Sequence, residues 1–409
     1  MDSTELPLST PPSPDAPPVT LKLIGIGGGG SNALARLAHA PLDGLATAII
    51  DTDRKALDRH DADAPHLEKH LLAPALRRGL STGGDPDLGR ETAEASREQL
   101  APIATGADIL FLAVSLGGGA GGGIAPVIAE LATETNALVI AFATLPFSFE
   151  GPRRARQAGE SLLELRRACD AVITLPNDLL LQQTDDTESA TDALRRADEW
   201  MLRGVCSIHS ILRRPNLINL DLAALRRAFV TRGGKTLYAL GSGSGGNVVA
   251  QTLETLRMCP LLHIPEAARK VDHLIVNIIA GSSITLPVIN ELMREITAHY
   301  ARDAHVLMGT SITHDHPDAI QICLLGTTDM GARATSSRRP SKTAVAPPEQ
   351  TENKKPPVQN GSLKPSQDEF TFASADQQRG TFENSDRNLF EDQDLDRPTY
   401  LRRGIKIQL

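Results

Sequence analysis

Between Gly117 and Gly123, six of seven residues are glycine, interrupted only by Ala120. The run follows the apolar stretch Ile109-Leu110-Phe111-Leu112-Ala113-Val114 and precedes Ile124-Ala125-Pro126-Val127-Ile128-Ala129-Glu130-Leu131. The first stretch reads as a strand. The second reads as the opening turns of a helix, where Pro126 is tolerated. Glycines at such a junction remove the side chains that would keep an anion from the backbone N–H groups, and the helix N-terminus adds a favourable dipole. A corner alone does not require so many. The element predicts an α/β fold with a phosphate-binding site at the carboxyl end of a strand.

A second glycine segment lies upstream. Leu21–Ile26 reads as a short strand, followed by Gly27-Gly28-Gly29-Gly30-Ser31-Asn32 and a helix starting near Ala33. Gly25, Gly27 and Gly30 fit G-x-G-x-x-G, and Asp51 and Asp53 lie about twenty residues further on, where that pattern places a ribose-binding acid. Alone, this is compatible with a nicotinamide-dependent oxidoreductase, or with a Rossmann-like turn that binds nothing. Neither reading accounts for the second glycine run. Two runs in one domain suggest that one cradles phosphates while the other covers them.

Strands are expected at Leu21–Ile26, Ala46–Ile50, Ile109–Val114, Ala137–Ala141 and Ala171–Leu175, alternating with helical patterns. Such alternation implies a parallel sheet covered on both faces. An amphipathic stretch follows from about Glu188 to Leu212, then a second α/β region with strands at Thr236–Leu240, His273–Ile279, His305–Gly309 and Ala319–Leu324. The domains expected are a disordered N-terminus (1–20), a nucleotide-binding domain (21–187), a central helix (188–215), a second α/β domain (216–326), a disordered linker (327–392) and a C-terminal docking peptide (393–409). The linker is rich in Pro, Ser, Gln and charge, with no apolar period to offset chain entropy. The final peptide sets Tyr400, Leu401, Ile405, Ile407 and Leu409 among four basic residues, the usual form of a tethered docking motif. A net charge of -8 argues against a nucleic-acid binder, and no segment approaches the apolar length of a membrane span. Cys169, Cys206, Cys259 and Cys323 are too far apart for a C-x-x-C motif and read as reduced thiols of a cytoplasmic protein. His314-Asp315-His316 reads as a solvated turn, so no metal ligands are assigned.

These motifs resemble those of FtsZ, the bacterial tubulin-like GTPase family that polymerises into the division ring. Gly117–Gly123 (GGGAGGG) is similar to the family's GGGTGTG, and Gly27–Asn32 (GGGGSN) to its GGGGGN. Phe147–Arg154 resembles PFxFEGxxR, and Leu175–Leu180 resembles IPNDxLL. Leu217–Ala223 resembles LINLDFA, and Leu395–Arg403 resembles the tail peptide LDxPxFLR. The resemblance runs from Leu21 to about Gly326 and returns at the tail. It implies a tubulin/FtsZ-like fold: a Rossmann-like GTP-binding domain with a parallel sheet, a long central helix, a second α/β domain and a disordered C-terminal linker.

Carried over position by position, the resemblance assigns Gly27, Gly28, Gly29, Gly30, Ser31, Asn32, Gly117, Gly118, Gly119, Gly121, Gly122 and Gly123 to the nucleotide, with Asp53. It assigns Glu150 to the ribose, Arg154 to phosphate and sugar, Asn177 to base or sugar, and Asp198 to the guanine edge. The implied ligands are GTP and GDP, with Mg2+ arriving through the nucleotide. The site would be composite, with Asn219 and Asp221 of one subunit completing the cavity of the next. The implied partners are further copies of the chain, head to tail, and a membrane-anchored adaptor of FtsA type bound by residues 393–409. The chain would then act in the cytoplasm at the division site and meet the membrane only indirectly.

Departures from the pattern cluster at the chemistry. Ala120 and Gly122 replace both threonines of GGGTGTG, and Ala224 replaces the second acid of LINLDFAD. Ser81–Asp87 stands for GAGANPE, with Asp85 at the asparagine expected beside the terminal phosphate; Asp51 replaces the asparagine of NTD, and Leu194 a phenylalanine near the base. Each lost donor is expected to cost about two to three decades of rate. Slow hydrolysis is therefore expected, or nucleotide binding without turnover. Reverting Ala224 and Ala120 to the family residues is expected to raise turnover.

Overall fold

Side chains alternate across a strand, and the first sheet follows that rule on both faces. The protein's structure is a computed structural model describing residues 19–37, 42–60, 67–73, 78–181, 189–213, 216–218, 220–229, 233–263, 271–301, 304–328, 389–390 and 393–394. Strands β1 (Leu21–Ile26), β2 (Leu45–Asp51), β3 (Glu68–Leu71), β4 (Ile109–Ser115), β5 (Leu138–Leu145) and β6 (Ala171–Pro176) form one parallel sheet in the order β3-β2-β1-β4-β5-β6. Leu23, Phe111 and Ile140 point into one apolar cluster; Ile24, Leu112 and Ala141 point into the other. Burial on both faces explains why β4 is a continuous apolar run.

Helix α1 (Gly27–Leu37) leaves β1, and α2 (Arg54–Asp58) follows β2. Next come α3 (Pro86–Ala95), α4 (Arg97–Ala104), α5 (Gly119–Glu134) after β4, α6 (Pro152–Ala168) after β5 and α7 (Asn177–Leu181) after β6. The strand order reverses between β1 and β4, with Gly25 beside Ala113 and Ile26 beside Val114. A crevice at such a switch point is where open α/β sheets bind ligands.

The central helix is α8 (Ala190–Arg213). Its buried Ala197, Met201, Val205 and Ile208 recur every three or four residues, which gives an amphipathic helix one continuous apolar face. A second sheet, ordered β7-β10-β9-β11-β8, contains β7 (Asn216–Ile218), β8 (Thr236–Ser244), β9 (His273–Gly281), β10 (His305–Thr313) and β11 (Ala319–Thr327). Helices α9 (Leu222–Ala228), α10 (Val248–Arg257) and α11 (Leu286–Tyr300) belong to the same region. Only β9 and β10 run parallel.

The joint between the sheets is polar and specific. Tyr238 Oη donates to the Trp200 carbonyl at 3.1 Å, and its ring meets those of Trp200 and Phe142 edge-on. Burial pushes the Tyr238 phenol well above its usual value, so it stays a donor. Thr236 Oγ1 donates to the Val172 carbonyl at 2.9 Å, and Arg226 spans the Asn136 and Asp108 carbonyls at 2.7 and 3.3 Å. Asn277 Nδ2 donates to the Ser207 carbonyl and to Ser210 Oγ, each at 3.0 Å. Burial also pushes the Cys323 thiol up to about 12.

Several boundaries differ from the expectation. Both glycine segments are helical: α1 starts at Gly27 rather than near Ala33, and α5 starts at Gly119. Residue 20 belongs to the fold, because Thr20 N–H and Oγ1 both donate to Asp108 Oδ2 at 2.8 Å. Strand β11 passes residue 326, and Thr327 Oγ1 donates to the Ala228 carbonyl at 2.6 Å. Within the expected linker and at the head of the tail peptide, Leu389–Phe390 pairs antiparallel with Gln393–Asp394. This short pair belongs to a separate unit, 341–409, whose other residues, with the tail anchors, lie outside those described.

Gly204 sits where α8 crosses β5, and a Cβ there would collide with the Phe142 ring. Overpacking of this kind costs about 1–3 kcal/mol. Gly204→Ala is expected to lower the thermal unfolding midpoint clearly, as read by circular dichroism, whereas Gly159→Ala, where a Cβ meets nothing within 4 Å, is expected not to.

Candidate functional site

The N-termini of α1 and α5 face one cavity of about 580 Å³. Gly27, Gly28 and Gly29 line one side, and Gly117, Gly118, Gly119, Ala120 and Gly121 the other. Gly27 and Gly117 have φ of +70° and +88°, a region that L side chains rarely enter. The cap position of α5 is Gly118, which has no side chain to satisfy the first N–H groups. Those orphan donors, with the helix dipole, suit an anion.

Several glycines of the two runs also serve packing. A Cβ on Gly30 would collide with the Ala113 carbonyl, and one on Gly121 with the Ser115 carbonyl. Gly122 and Gly123, expected at the phosphates, lie elsewhere: they line a neighbouring cavity between α3 and α6. A Cβ on Gly122 would strike Ser161 Oγ, and one on Gly123 the Pro86 carbonyl. Their bareness lets α3 and α6 close onto α5. Ser31 is fully buried, its Oγ without a partner.

A second cavity of about 430 Å³ adjoins the first, with Gly29 and Ser115 on the lining of both. Asn32, Arg36, Asn177, Leu194 and Asp198 are among its walls. Leu194 is half exposed, whereas Asn177 is 6 % exposed and its Oδ1 has no partner. Burial raises the Asp198 carboxyl above its usual range even though Arg36 Nε lies 2.9 Å from its Oδ2. A phosphate cradle next to a compartment holding an unsatisfied amide oxygen and a buried carboxylate fits a nucleotide: phosphates on one side, a donor-bearing base on the other.

Asp51, Asp53 and Arg154 at the cradle are already engaged. Asp51 is 4 % exposed and accepts from the N–H groups of Thr52 and Asp53 at 2.7 and 3.1 Å; burial raises its carboxyl. Asp53 lines the cavity but caps α2 by accepting from Lys55 N–H at 2.9 Å. Arg154 lines the cavity and pairs with Glu150 at 2.9 Å. Glu150 also accepts from Phe147 N–H at 2.8 Å and is absent from the lining. The Asp85 carboxylate, expected to repel the terminal phosphate, instead caps α3 through Asp87 and Leu88 N–H at 3.0 and 3.3 Å and lines the neighbouring cavity.

Residues 20–185 match the sequence model of the Tubulin/FtsZ family GTPase domain, and residues 234–330 match that of the FtsZ family C-terminal domain. An empty FtsZ dimer of M. jannaschii is 27 % identical at a TM-score of 0.69, covering 77 % of this chain and 89 % of that one. The chain belongs to the tubulin/FtsZ family. Two Haloferax volcanii proteins share the fold: GDP-bound CetZ1, 18 % identical, TM-score 0.60, covering 76 % of this chain and 95 % of that one; and CetZ2 in a GTPγS-bound protofilament, 20 % identical, TM-score 0.61, covering 78 % and 96 %. As an FtsZ-family chain it carries a GTPase domain of a GTP- and GDP-binding kind.

Of the two residues that resemblance to FtsZ assigns to hydrolysis, Asn219 lies outside the described residues. Asp221 is exposed at the N-cap of α9, accepts from Ala224 N–H at 2.6 Å, and is absent from the cavity lining. Ala224 is 8 % exposed and packs in the apolar cluster. A carboxylate there would be desolvated, so the reversion at 224 carries a folding penalty that the motif comparison did not reveal.

Ser115, Thr82, Arg153 and Gln157 also line the cradle and were missed, because glycine runs draw attention to themselves and single polar residues do not. Ser115 was findable as the last residue of β4, two residues before the run.

Asp51→Asn keeps an acceptor for the Thr52 and Asp53 N–H groups and removes the buried charge. The folded carboxyl titrates above the unfolded one, so ionised Asp51 lowers stability at neutral pH, and that loss vanishes as pH falls through the raised value. Asp51→Asn is therefore expected to raise the unfolding midpoint at pH 7 but not near pH 3.5, in paired denaturant titrations.

Proposed function

We propose that the chain binds GTP across the two adjoining cavities, assembles head to tail into filaments and hydrolyses the nucleotide slowly, as a cell-division protein. The carrying observation is the glycine cradle adjoining a compartment that presents Asp198 as an acceptor. A carboxylate can accept from the two donors on the guanine edge, which adenine does not present in the same way. Binding would require Arg36 to share or release Asp198. Arg153 and Arg154 stand at the mouth of the cradle and suit phosphate oxygens. Glu150 would reach the ribose by turning from the Phe147 N–H.

Hydrolysis needs charge placement more than covalent chemistry. Asp221 is exposed at a helix start, away from the cavity of its own chain, and suits completion of the cavity of the next copy. Filament formation by the family's CetZ2 supports self-association. Mg2+ would enter with the nucleotide and neutralise charge on its phosphates. The buried Ala224 favours a second reading, a nucleotide-binding filament protein without turnover.

The test is sedimentation with GTP, GDP and a non-hydrolysable analogue, with phosphate release followed against protein concentration. Release per molecule is expected to rise above an assembly threshold, and Asp221→Ala is expected to abolish it while fluorescent GTP still binds. Constant release per molecule on dilution would sink the shared site. Assembly with GTP but no release would establish the second reading.

The tail is proposed to dock on a membrane-anchored adaptor of FtsA type at the division site, with Tyr400 and Leu401 as apolar anchors and Arg402, Arg403 and Lys406 steering. On this reading the roughly sixty residues before it would act as a tether and raise its local concentration along a filament. Deleting residues 392–409 is expected to preserve GTP binding and polymerisation but detach filaments from the membrane in cells. Truncated filaments that still localise there would disprove the anchor.

A further inference from the structure

Thr82 is 4 % exposed and lines the glycine cradle. Its carbonyl accepts from Asp85 N–H at 3.1 Å, and Gly83 and Gly84 between them have φ of +61° and +83°. Residues 82–85 are thus a tight turn whose two central positions favour glycine. Both sides of the turn are held. Asp85 caps α3, and Gln157 Nε2 donates to the Gly84 carbonyl at 3.1 Å.

The turn lays the Thr82 side chain on the first residue of α5. A Cβ on Gly119 would collide with Thr82 Oγ1, so the hydroxyl rests against bare backbone where the helix N–H groups emerge. Among the described residues, nothing hydrogen-bonds that hydroxyl. Although the residue as a whole is buried, its hydroxyl oxygen is not sealed off and opens onto the cradle, where a ligand can reach it.

The sequence motifs carry an independent sign. Where the family pattern reads Gly-Ala at the start of GAGANPE, this chain has Ser81-Thr82; where GGGTGTG has threonine, it has Ala120 and Gly122. Hydroxyls are missing from the glycine run and present on the loop opposite. Ser81 Oγ serves the turn, accepting from Gly83 N–H at 3.3 Å. Thr82 Oγ1 has no such duty.

We propose that Thr82 Oγ1 donates a hydrogen bond to a phosphate oxygen of the bound nucleotide, standing in for the threonine hydroxyls that the glycine run lacks. The proposal rests on the GTP-binding reading above. It adds a side-chain hydroxyl to the backbone N–H groups at the start of α5, beside which it lies. Thr82 then contributes to phosphate affinity and leaves the base compartment untouched.

The experiment compares GTP and guanosine binding to the full chain, by displacement of a fluorescent GTP analogue, for the unsubstituted protein, Thr82→Val and Thr82→Ser. Valine keeps the volume and removes the hydroxyl; serine keeps the hydroxyl. Thr82→Val is expected to weaken GTP about tenfold or more and Thr82→Ser less than about twofold, as for loss of one hydrogen bond to a charged acceptor. Guanosine, which has no phosphate, is expected to bind all three alike. GTP affinity retained in Thr82→Val overturns the inference, and so does a parallel loss of guanosine affinity, which would mark a role in loop folding. Failure of the unsubstituted protein to bind GTP removes the GTP reading and the inference together.

Discussion

The site depends on backbone meeting backbone. Helices α1 and α5 start at the carboxyl ends of the neighbouring strands β1 and β4, and at Gly27 and Gly30 the strands' spacing leaves little or no room for a side chain. A Cβ on Gly27 would lie 3.2 Å from Gly121 N, and one on Gly30 would collide with the Ala113 carbonyl. The cradle is therefore a product of sheet register: Gly25 lies opposite Ala113 and Ile26 opposite Val114, and a slip by one residue would turn every buried side chain of the strand to the other face. The two apolar clusters that hold the register thereby also hold two rows of N–H donors toward one point.

Around that fixed cradle the charges are paired and movable. Arg36 and Asp198 neutralise each other in the base compartment, as do Arg154 and Glu150 at the mouth. Pairing matters most for Asp198, because a carboxylate raised by burial is costly to leave alone. On the GTP reading, each pair is exchanged for contacts to the ligand, so the gross interaction energy exceeds the net affinity. Asp51 differs: its partners are backbone N–H groups that cannot leave. On the same reading it would stand as an acid beside the phosphates and oppose tight retention of the triphosphate.

Much of this was readable from the chain. The strands at Leu21–Ile26, Ile109–Val114 and Ala171–Leu175 were legible because fully buried strands are continuous apolar runs. Strand β3, Glu-Lys-His-Leu, was not, because an edge strand keeps polar residues and takes its hydrogen bonds from β2. Both glycine runs pointed to the site, but composition cannot say which way a glycine faces. Gly122 and Gly123 differ from Gly119 only in helical phase, and that phase turns them onto α3 and α6. Likewise Asp85 reads as a charge near the phosphates until its carboxylate is seen capping a helix, and Ala224 reads as a lost acid until it is seen in the core.

The joint between α8 and the second sheet has an optical consequence. The chain holds a single tryptophan, and Trp200 sits at that joint, 6 % exposed, with Tyr238 edge-on at 6.2 Å and bonded to its carbonyl. Indole emission depends on local polarity and on neighbouring rings, so the tryptophan fluorescence of the whole protein, excited selectively, reports from this one place. Any sliding of the central helix against the sheet is written into the emission spectrum of the unlabelled chain.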